Sequence, residues 1–344
     1  MIRKPVRFGI LGYGHIGKRH ASAIQDHPAA ELTHVADVLS EEGCGAEAVV
    51  ENGVTFYSSI EGLTNSDNLP DVVSVCTPNG FHSSHAISLL NAGCHVILEK
   101  PISLSVDDAK SIKQVSDETG KNVFCVMQNR FAPPSVWLKS LVDSGKLGAI
   151  RQVHIQCFWN RDDRYYKPGG WRGTLALDGG PLYTQFSHFI DVMYWIFGGI
   201  KSPQARFYNQ AHTHNTEFED SGQITFDFKR EGWGSFTFST ALDRKNFESS
   251  LTLVTENGTV RIAGQYMQNL VHCDIDGYTP PALPESAPPN DYGDYKGSAS
   301  NHQHVISNVI DALSNDATIA TPLSEGIDVV EIIGQMYSAG QRPL

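Results

Sequence analysis

The sequence predicts an α/β chain in two parts: an N-terminal parallel sheet wound with helices, then an α+β part on a mostly antiparallel sheet with helices on one face. Two observations predict the first part. Apolar strand-like runs alternate with amphipathic helical stretches from residue 6 to about 127, and the first strand runs directly into a glycine-rich turn, Gly12-Tyr13-Gly14-His15-Ile16-Gly17. A third predicts the second part. Beyond Pro133-Pro134 apolar and polar side chains alternate with a period of two, the pattern of strands with one face on a core.

The first strand, residues 6–11, reads Val-Arg-Phe-Gly-Ile-Leu and leads to a G-x-G-x-x-G turn. Gly12 suits the tight turn, Gly14 lets the backbone approach a pyrophosphate, and Gly17 lets the next helix pack closely on the strand. That helix, 15–26, points the positive end of its dipole at the phosphates. A second strand at 32–37 ends in Asp37, about 20 residues further on, where a dinucleotide site places the acid that binds both ribose hydroxyls. The carboxylate repels a 2′-phosphate, and Val38 and Leu39 supply no cation to offset it. NAD is therefore expected rather than NADP.

Further strands are predicted at 54–57, 72–76, 95–98 and 123–127, with helices at 41–51, 82–92 and 105–119, the last opened by the Ser105-Val106-Asp107-Asp108 cap. Six strands complete a Rossmann unit. In the second part a helix is predicted near 135–144, then strands near 150–159, 217–228, 232–242, 249–256 and 258–263, with Asn257-Gly258 as a hairpin turn. Residues 279–299, rich in Pro, Gly, Ser and Asp, read as a long loop. Helices near 301–314 and 324–338 follow.

The formal net charge of −12 argues against nucleic acid or an anionic membrane as partner, so a small molecule is expected. Six cysteines are scattered without a C-x-x-C pair, several in apolar runs, as in a reducing compartment. No apolar stretch reaches the ~18 residues of a membrane helix, and the first strand follows the N-terminus too closely for a signal peptide. A cytoplasmic protein is expected.

Thr77-Pro78-Asn79 and Glu99-Lys100-Pro101 follow the fourth and fifth strands, at the carboxyl ends where open α/β sheets bind ligands. An ammonium at Lys100 beside a nicotinamide can polarise or deprotonate a substrate hydroxyl, although position alone fits a surface lysine equally well. Asn79 and His82 are expected to line the cofactor pocket. Further on, Asp178-Gly179-Gly180-Pro181 precedes a helical run from about 182 to 197, along which Thr184, His188, Asp191 and Trp195 share one face. His188 is the candidate acid–base group there, the alternative being a satisfied core histidine. Residues 161–174 gather Arg161, Arg164, Tyr165, Tyr166, Lys167, Trp171 and Arg172, a basic and aromatic mixture suited to an anionic ligand with flat faces. His212-x-His214 and His302-x-His304 lack partners at recurring zinc spacings, so no metal is expected.

Taken in order, the glycine turn, Thr77-Pro78-Asn79, Glu99-Lys100-Pro101 and the Gly179-Gly180 to His188 helix resemble the Gfo/Idh/MocA family of sugar oxidoreductases. The resemblance implies a Rossmann domain at 1–127 and a substrate-binding and oligomerisation domain at 128–344, with substrate between them and subunits paired as dimers or tetramers. It implies Lys100 and His188 as the catalytic pair. Many members carry an Asp four residues before that histidine, where this chain has Thr184. Tyr165-Tyr166, Trp171-Arg172-Gly173-Thr174, Leu177-Asp178-Gly179-Gly180 and Gln185 resemble the branch that oxidises the 3′-hydroxyl of UDP-N-acetylglucosaminuronic acid. On that resemblance Arg161, Arg164, Tyr166, Trp171, Arg172, Thr174, Thr184, Gln185 and His188 face the substrate, and Gly12 to Gly17, Asp37, Thr77, Pro78, Asn79, His82, Glu99 and Lys100 face NAD. A dehydrogenase of a free sugar or inositol, or a non-catalytic NAD-binding regulator, are the alternatives.

Overall fold

The structure, a computed structural model, describes residues 4–293 and 295–343. It divides into two compact units, residues 1–127 with 302–330 and residues 128–301 with 331–344.

In the first unit, β1 (Val6–Leu11), α1 (His15–Gln25), β2 (Ala30–Ala36), α2 (Glu41–Cys44), α3 (Glu47–Glu51), β3 (Thr55–Tyr57), α4 (Ile60–Thr64), β4 (Val72–Val75), α5 (His82–Asn91), β5 (His95–Leu98), α6 (Val106–Thr119) and β6 (Val123–Cys125) follow in order. The strands form one sheet in the order β3-β2-β1-β4-β5-β6, with every pairing parallel. Each predicted strand is present. β4 is buried along its whole length, as a strand covered on both faces requires. The Ser105 hydroxyl accepts the Asp108 N–H at 3.1 Å, which makes the expected cap of α6. One helix was expected at 41–51, and two occur, because Gly45 adopts a left-handed conformation that closes α2. α4 was not expected; five residues are too few for a periodic signal.

The second unit contains α7 (Pro133–Asp143), β7 (Ile150–Phe158), α8 (Pro181–Thr184), α9 (Ser187–Phe197), β8 (Ile200–Tyr208), β9 (Ser221–Phe228), β10 (Trp233–Ser239), β11 (Glu248–Thr255), β12 (Gly258–Ala263) and β13 (Asn269–Ile275). These strands make a seven-stranded sheet in the order β13-β12-β11-β7-β10-β9-β8, antiparallel except between β7 and β10. Along β9 and β10 the inward positions hold Gly222, Ile224, Phe226, Phe228, Gly234, Phe236 and Phe238. Rings at the start and end of α9 cover them, Phe186 lying 5.4 Å from Phe238 and Phe197 5.6 Å from Phe228. The sheet's two edge strands were not expected. β8 contains Pro203, which an edge tolerates, and β13 is largely exposed, so neither shows clean alternation.

Two readings of the C-terminal region need correction. Residues 279–299 are not structureless: β14 (Pro289–Asp291) and β15 (Lys296–Ala299) pair as an antiparallel hairpin. A single boundary at 127/128 also fails, because the chain returns to the first unit with α10 (His302–Asn315) and the start of α11 (Leu323–Ser338). Cys125 N–H donates to the Thr321 carbonyl at 3.0 Å, and the Thr321 hydroxyl donates to the Cys125 carbonyl at 2.6 Å, so this segment pairs beside β6. Such a pairing joins residues far apart in sequence and has no local signature.

Candidate active site

At the carboxyl end of β1, Gly12 has φ +91°, and a Cβ there would stand 2.8 Å from the Cys76 carbonyl oxygen. A Cβ on Gly17 would collide with the Gly12 carbonyl, so the strand and α1 approach as closely as the sequence predicted. Gly14 differs: beyond its immediate chain neighbours, no described atom lies within 4 Å of where its Cβ would be, which leaves room for phosphate against the backbone. No side chain caps α1 at Gly14, and the first turn of a helix, with its N–H groups and positive dipole end, is where an anion is favoured. Tyr13 is buried, and its N–H donates to Asp37 Oδ2 at 2.6 Å while Leu39 N–H donates to Oδ1 at 2.9 Å. These two bonds orient the Asp37 carboxylate and leave it further lone pairs for two hydroxyls. The residues present fit NAD.

Replacing Asp37 with Ala removes a charged acceptor from this set. NAD affinity is expected to fall by ~1.5–3 kcal/mol, roughly tenfold or more, with NADP affected less. Calorimetric titration of both cofactors checks it; wild-type protein binding NADP as tightly as NAD would remove Asp37 from this role.

Thr77, Pro78 and Lys100 are partly buried and Asn79 and Glu99 buried at the carboxyl ends of β4 and β5. His82 links two of these loops. Its ring is 1% exposed, with Nδ1 2.6 Å from the Pro101 carbonyl oxygen and Nε2 2.8 Å from that of Thr77. It therefore ties the 77–79 loop to the 99–101 loop. Burial pushes its pKa down, and the two carbonyls oppose that shift.

In the second unit His188 lies in the first turn of α9, 5% exposed. The single helix expected over 182–197 occurs as two, α8 and α9, with a break at Gln185 and Phe186. The Thr184 hydroxyl instead donates to the carboxylate of Asp178, which also accepts the Gly173 N–H at 2.9 Å. Asp178 is fully buried, and burial raises its pKa. Asp191, also on α9, is paired with Arg130, whose Nε donates to both carboxylate oxygens at 2.9 and 3.1 Å. Gln185 Nε2 donates to the Tyr165 hydroxyl at 3.1 Å, and its Oε1 is buried with no hydrogen-bond partner among the described residues.

The 161–174 segment separates into different fates. Arg161, 3% exposed, lies 4.8 Å from the Trp159 ring and 5.0 Å from those of Tyr165 and Tyr295. Arg172 lies 4.6 Å from Tyr165, 4.9 Å from Trp171 and 5.8 Å from Tyr295, and donates to the Tyr295 hydroxyl at 3.2 Å. Arg161 and Arg172 thus share two rings, one of them supplied by the β14–β15 hairpin. Arg164 is an exposed neighbour held by Asp162, its Nε 3.0 Å from both oxygens. Tyr166 packs into a core cluster with Phe218, and the Thr174 hydroxyl closes its own turn on the Trp171 carbonyl at 2.8 Å. Arg164, Tyr166 and Thr174 are thereby engaged within the protein.

Sequence reasoning missed four residues. Asp178 was quoted in a motif but given no role. Tyr295 was lost in a supposed loop, where its spacing from Tyr292 was the only signal. His20 and His302, with Glu99, bring ligand-type atoms within 4.8 Å of one another, a grouping that no short spacing reveals.

The strand order, the glycine turn and the acid after β2 define a dinucleotide-binding protein whose residues fit NAD. The oxidoreductase family with an NAD-binding Rossmann fold matches residues 6–127, and the GFO/IDH/MocA C-terminal domain matches residues 136–261. The chain belongs to the Gfo/Idh/MocA family. It is similar to the WlbA dehydrogenase from Bordetella pertussis, solved with NADH and UDP-GlcNAcA, at 30% identity and TM-score 0.86, over 98% of this chain and 96% of that one. The WlbA dehydrogenase from Chromobacterium violaceum, solved with the same two ligands, is similar at 28% identity and TM-score 0.87, over 98% of this chain and 94% of that one. D-Glucoside 3-dehydrogenase of Escherichia coli is 27% identical over 69% of this chain and 68% of its own length. No described helix is long and apolar enough to cross a membrane.

Proposed function

We propose that the chain uses NAD to oxidise a secondary hydroxyl of a sugar, and that the sugar is a nucleotide-linked acid, with the 3′-hydroxyl of UDP-N-acetylglucosaminuronic acid as the reacting group. The observation that carries this reading is the Arg161–Arg172 pair. Both guanidiniums stack on aromatic rings, and neither forms an ion pair with a described carboxylate. Burial lowers the pKa of Arg161, whereas at Arg172 the Tyr165 and Tyr295 hydroxyls and the Asp178 carboxylate outweigh burial and raise it. Such charges are costly to bury unless an anion joins them, and a carboxylate or diphosphate meets a guanidinium in bidentate fashion. UDP-GlcNAcA, the ligand of both WlbA structures, carries both groups.

Bound NAD supplies the hydride acceptor. Lys100 and His188 handle the proton of the substrate hydroxyl: one takes it as the bond to hydrogen weakens, and the Lys100 ammonium stabilises the developing alkoxide. Gln185, with its unpartnered Oε1, and Trp171 orient the sugar. The same reading makes the protein a cytoplasmic homo-oligomer, in line with six free thiols and with Trp233 and Val271 exposed on the large sheet.

Arg172→Ala is expected to raise KM for UDP-N-acetylglucosaminuronic acid at least ~10-fold, the ~1.5–3 kcal/mol of a lost charged contact, while NAD affinity holds. Steady-state kinetics on the acid and on UDP-N-acetylglucosamine decide it. An unchanged KM for the acid removes the segment from the site, and wild-type protein that does not turn the acid over with NAD overturns the substrate assignment.

A further inference from the structure

Within the first unit, a carboxylate is buried between two imidazoles directly beside Lys100. Glu99 ends β5, His20 lies on α1 and His302 opens α10, and their side chains are 7%, 1% and 2% exposed. His20 Nε2 stands 3.0 Å from Glu99 Oε1, and His302 Nε2 approaches the same oxygen at 3.5 Å. The Ser74 hydroxyl, on β4, stands 3.1 Å from His20 Nδ1, and the two imidazoles meet edge to face at 5.3 Å. The other carboxylate oxygen, Oε2, accepts the backbone N–H of Lys100 at 3.1 Å.

The division of the two oxygens is informative. One is held by side chains from two helices, and the other holds the Lys100 peptide. Burial alone would raise the pKa of Glu99, yet the hydrogen bond with His20 and the His302 imidazole beside the same oxygen keep it well below the usual carboxylate range. For stability alone, apolar side chains of similar volume would serve at least as well as this buried polar set. A fixed carboxylate at the root of a reactive lysine has a further use, since it sets where that lysine's backbone lies.

We propose that His20, Glu99 and His302 form a positioning set for Lys100, the two imidazoles fixing the Glu99 carboxylate and Glu99 fixing the Lys100 peptide and so the reach of its ammonium. This rests on the reading of Lys100 as the acid–base residue. It also explains the return of the chain at His302, which places a C-terminal side chain beneath the β5 loop.

The test compares His20→Leu, His302→Leu, the amide variants His20→Gln and His302→Gln, and Lys100→Met, using NAD and UDP-N-acetylglucosaminuronic acid. Each leucine variant is expected to lower kcat by ~10- to 100-fold at little change in KM or NAD affinity, the scale of an ångström-sized misplacement, and each glutamine variant to recover most of that loss. Crystal structures of the folded leucine variants supply a readout independent of turnover: Glu99 is expected to leave its position and the Oε2 bond to Lys100 N–H to lengthen. An unmoved Glu99 and Lys100 in those crystals, or unchanged kcat in both leucine variants while Lys100→Met is inactive, overturns the inference. One tightly held equivalent of a divalent metal in the purified wild type, lost in His302→Leu, also overturns it by making the cluster a metal site. Wild-type kcat in Lys100→Met instead refutes the reading of Lys100 itself.

Discussion

Lys100→Met and His188→Asn are each expected to lower kcat by a factor on the order of 10² to 10⁴, the range for losing a positioned acid–base group. Lys100 follows β5 in the first unit, and His188 lies in the first turn of α9 in the second. If both act on one proton transfer, the double variant should lose much less than the product of the single losses. NAD affinity should survive in His188→Asn, whose site belongs to the unit without the glycine turn. Steady-state and single-turnover kinetics are the check, and a single variant with near wild-type kcat makes that residue a bystander.

The largest stability effect is expected at Arg130 and Asp191. Their side chains are 3% and 0% exposed, and Arg130 Nε reaches both oxygens of Asp191. Asp191→Asn would leave a buried guanidinium without its counter-charge, a loss of about 3–5 kcal/mol. The double replacement Arg130→Met with Asp191→Leu should recover much of it, because it also removes the desolvation of both charges. Denaturant unfolding of the two variants checks both statements. An Asp191→Asn protein as stable as wild type would show that Arg130 is satisfied by other groups. Because α9 carries both Asp191 and His188, the single change is also expected to lower kcat.

The dinucleotide end was legible because each requirement falls within a short stretch of chain. The glycine turn, the helix that follows and Asp37 are local in sequence, and the structure joins Asp37 to the turn through the Tyr13 N–H. The polar stripe on the 182–197 helix was misjudged for a physical reason. Period alone put Thr184, His188 and Asp191 on one face, but the helix breaks after Thr184, whose hydroxyl bonds to Asp178, and Asp191 answers a buried arginine from the turn at Gln128–Phe131. Likewise the cluster of cations at 161–174 was visible as composition. Which of them keep unneutralised charge was not, since that depends on Asp162 beside Arg164 and on Tyr295 of the hairpin.

By itself the sequence determined the first sheet, the inner strands of the second, the cofactor and the carboxyl-end loops that carry Lys100, because hydrophobic period, turn chemistry and helix capping act between near neighbours. Only the tertiary structure decided that the C-terminal segment returns to the first unit, that His82 joins two loops, and that His302 meets His20 across one oxygen of Glu99. Those contacts form between side chains far apart in the chain, and their energy comes from burying polar groups against one another. No local pattern along the sequence records which distant partner will satisfy them.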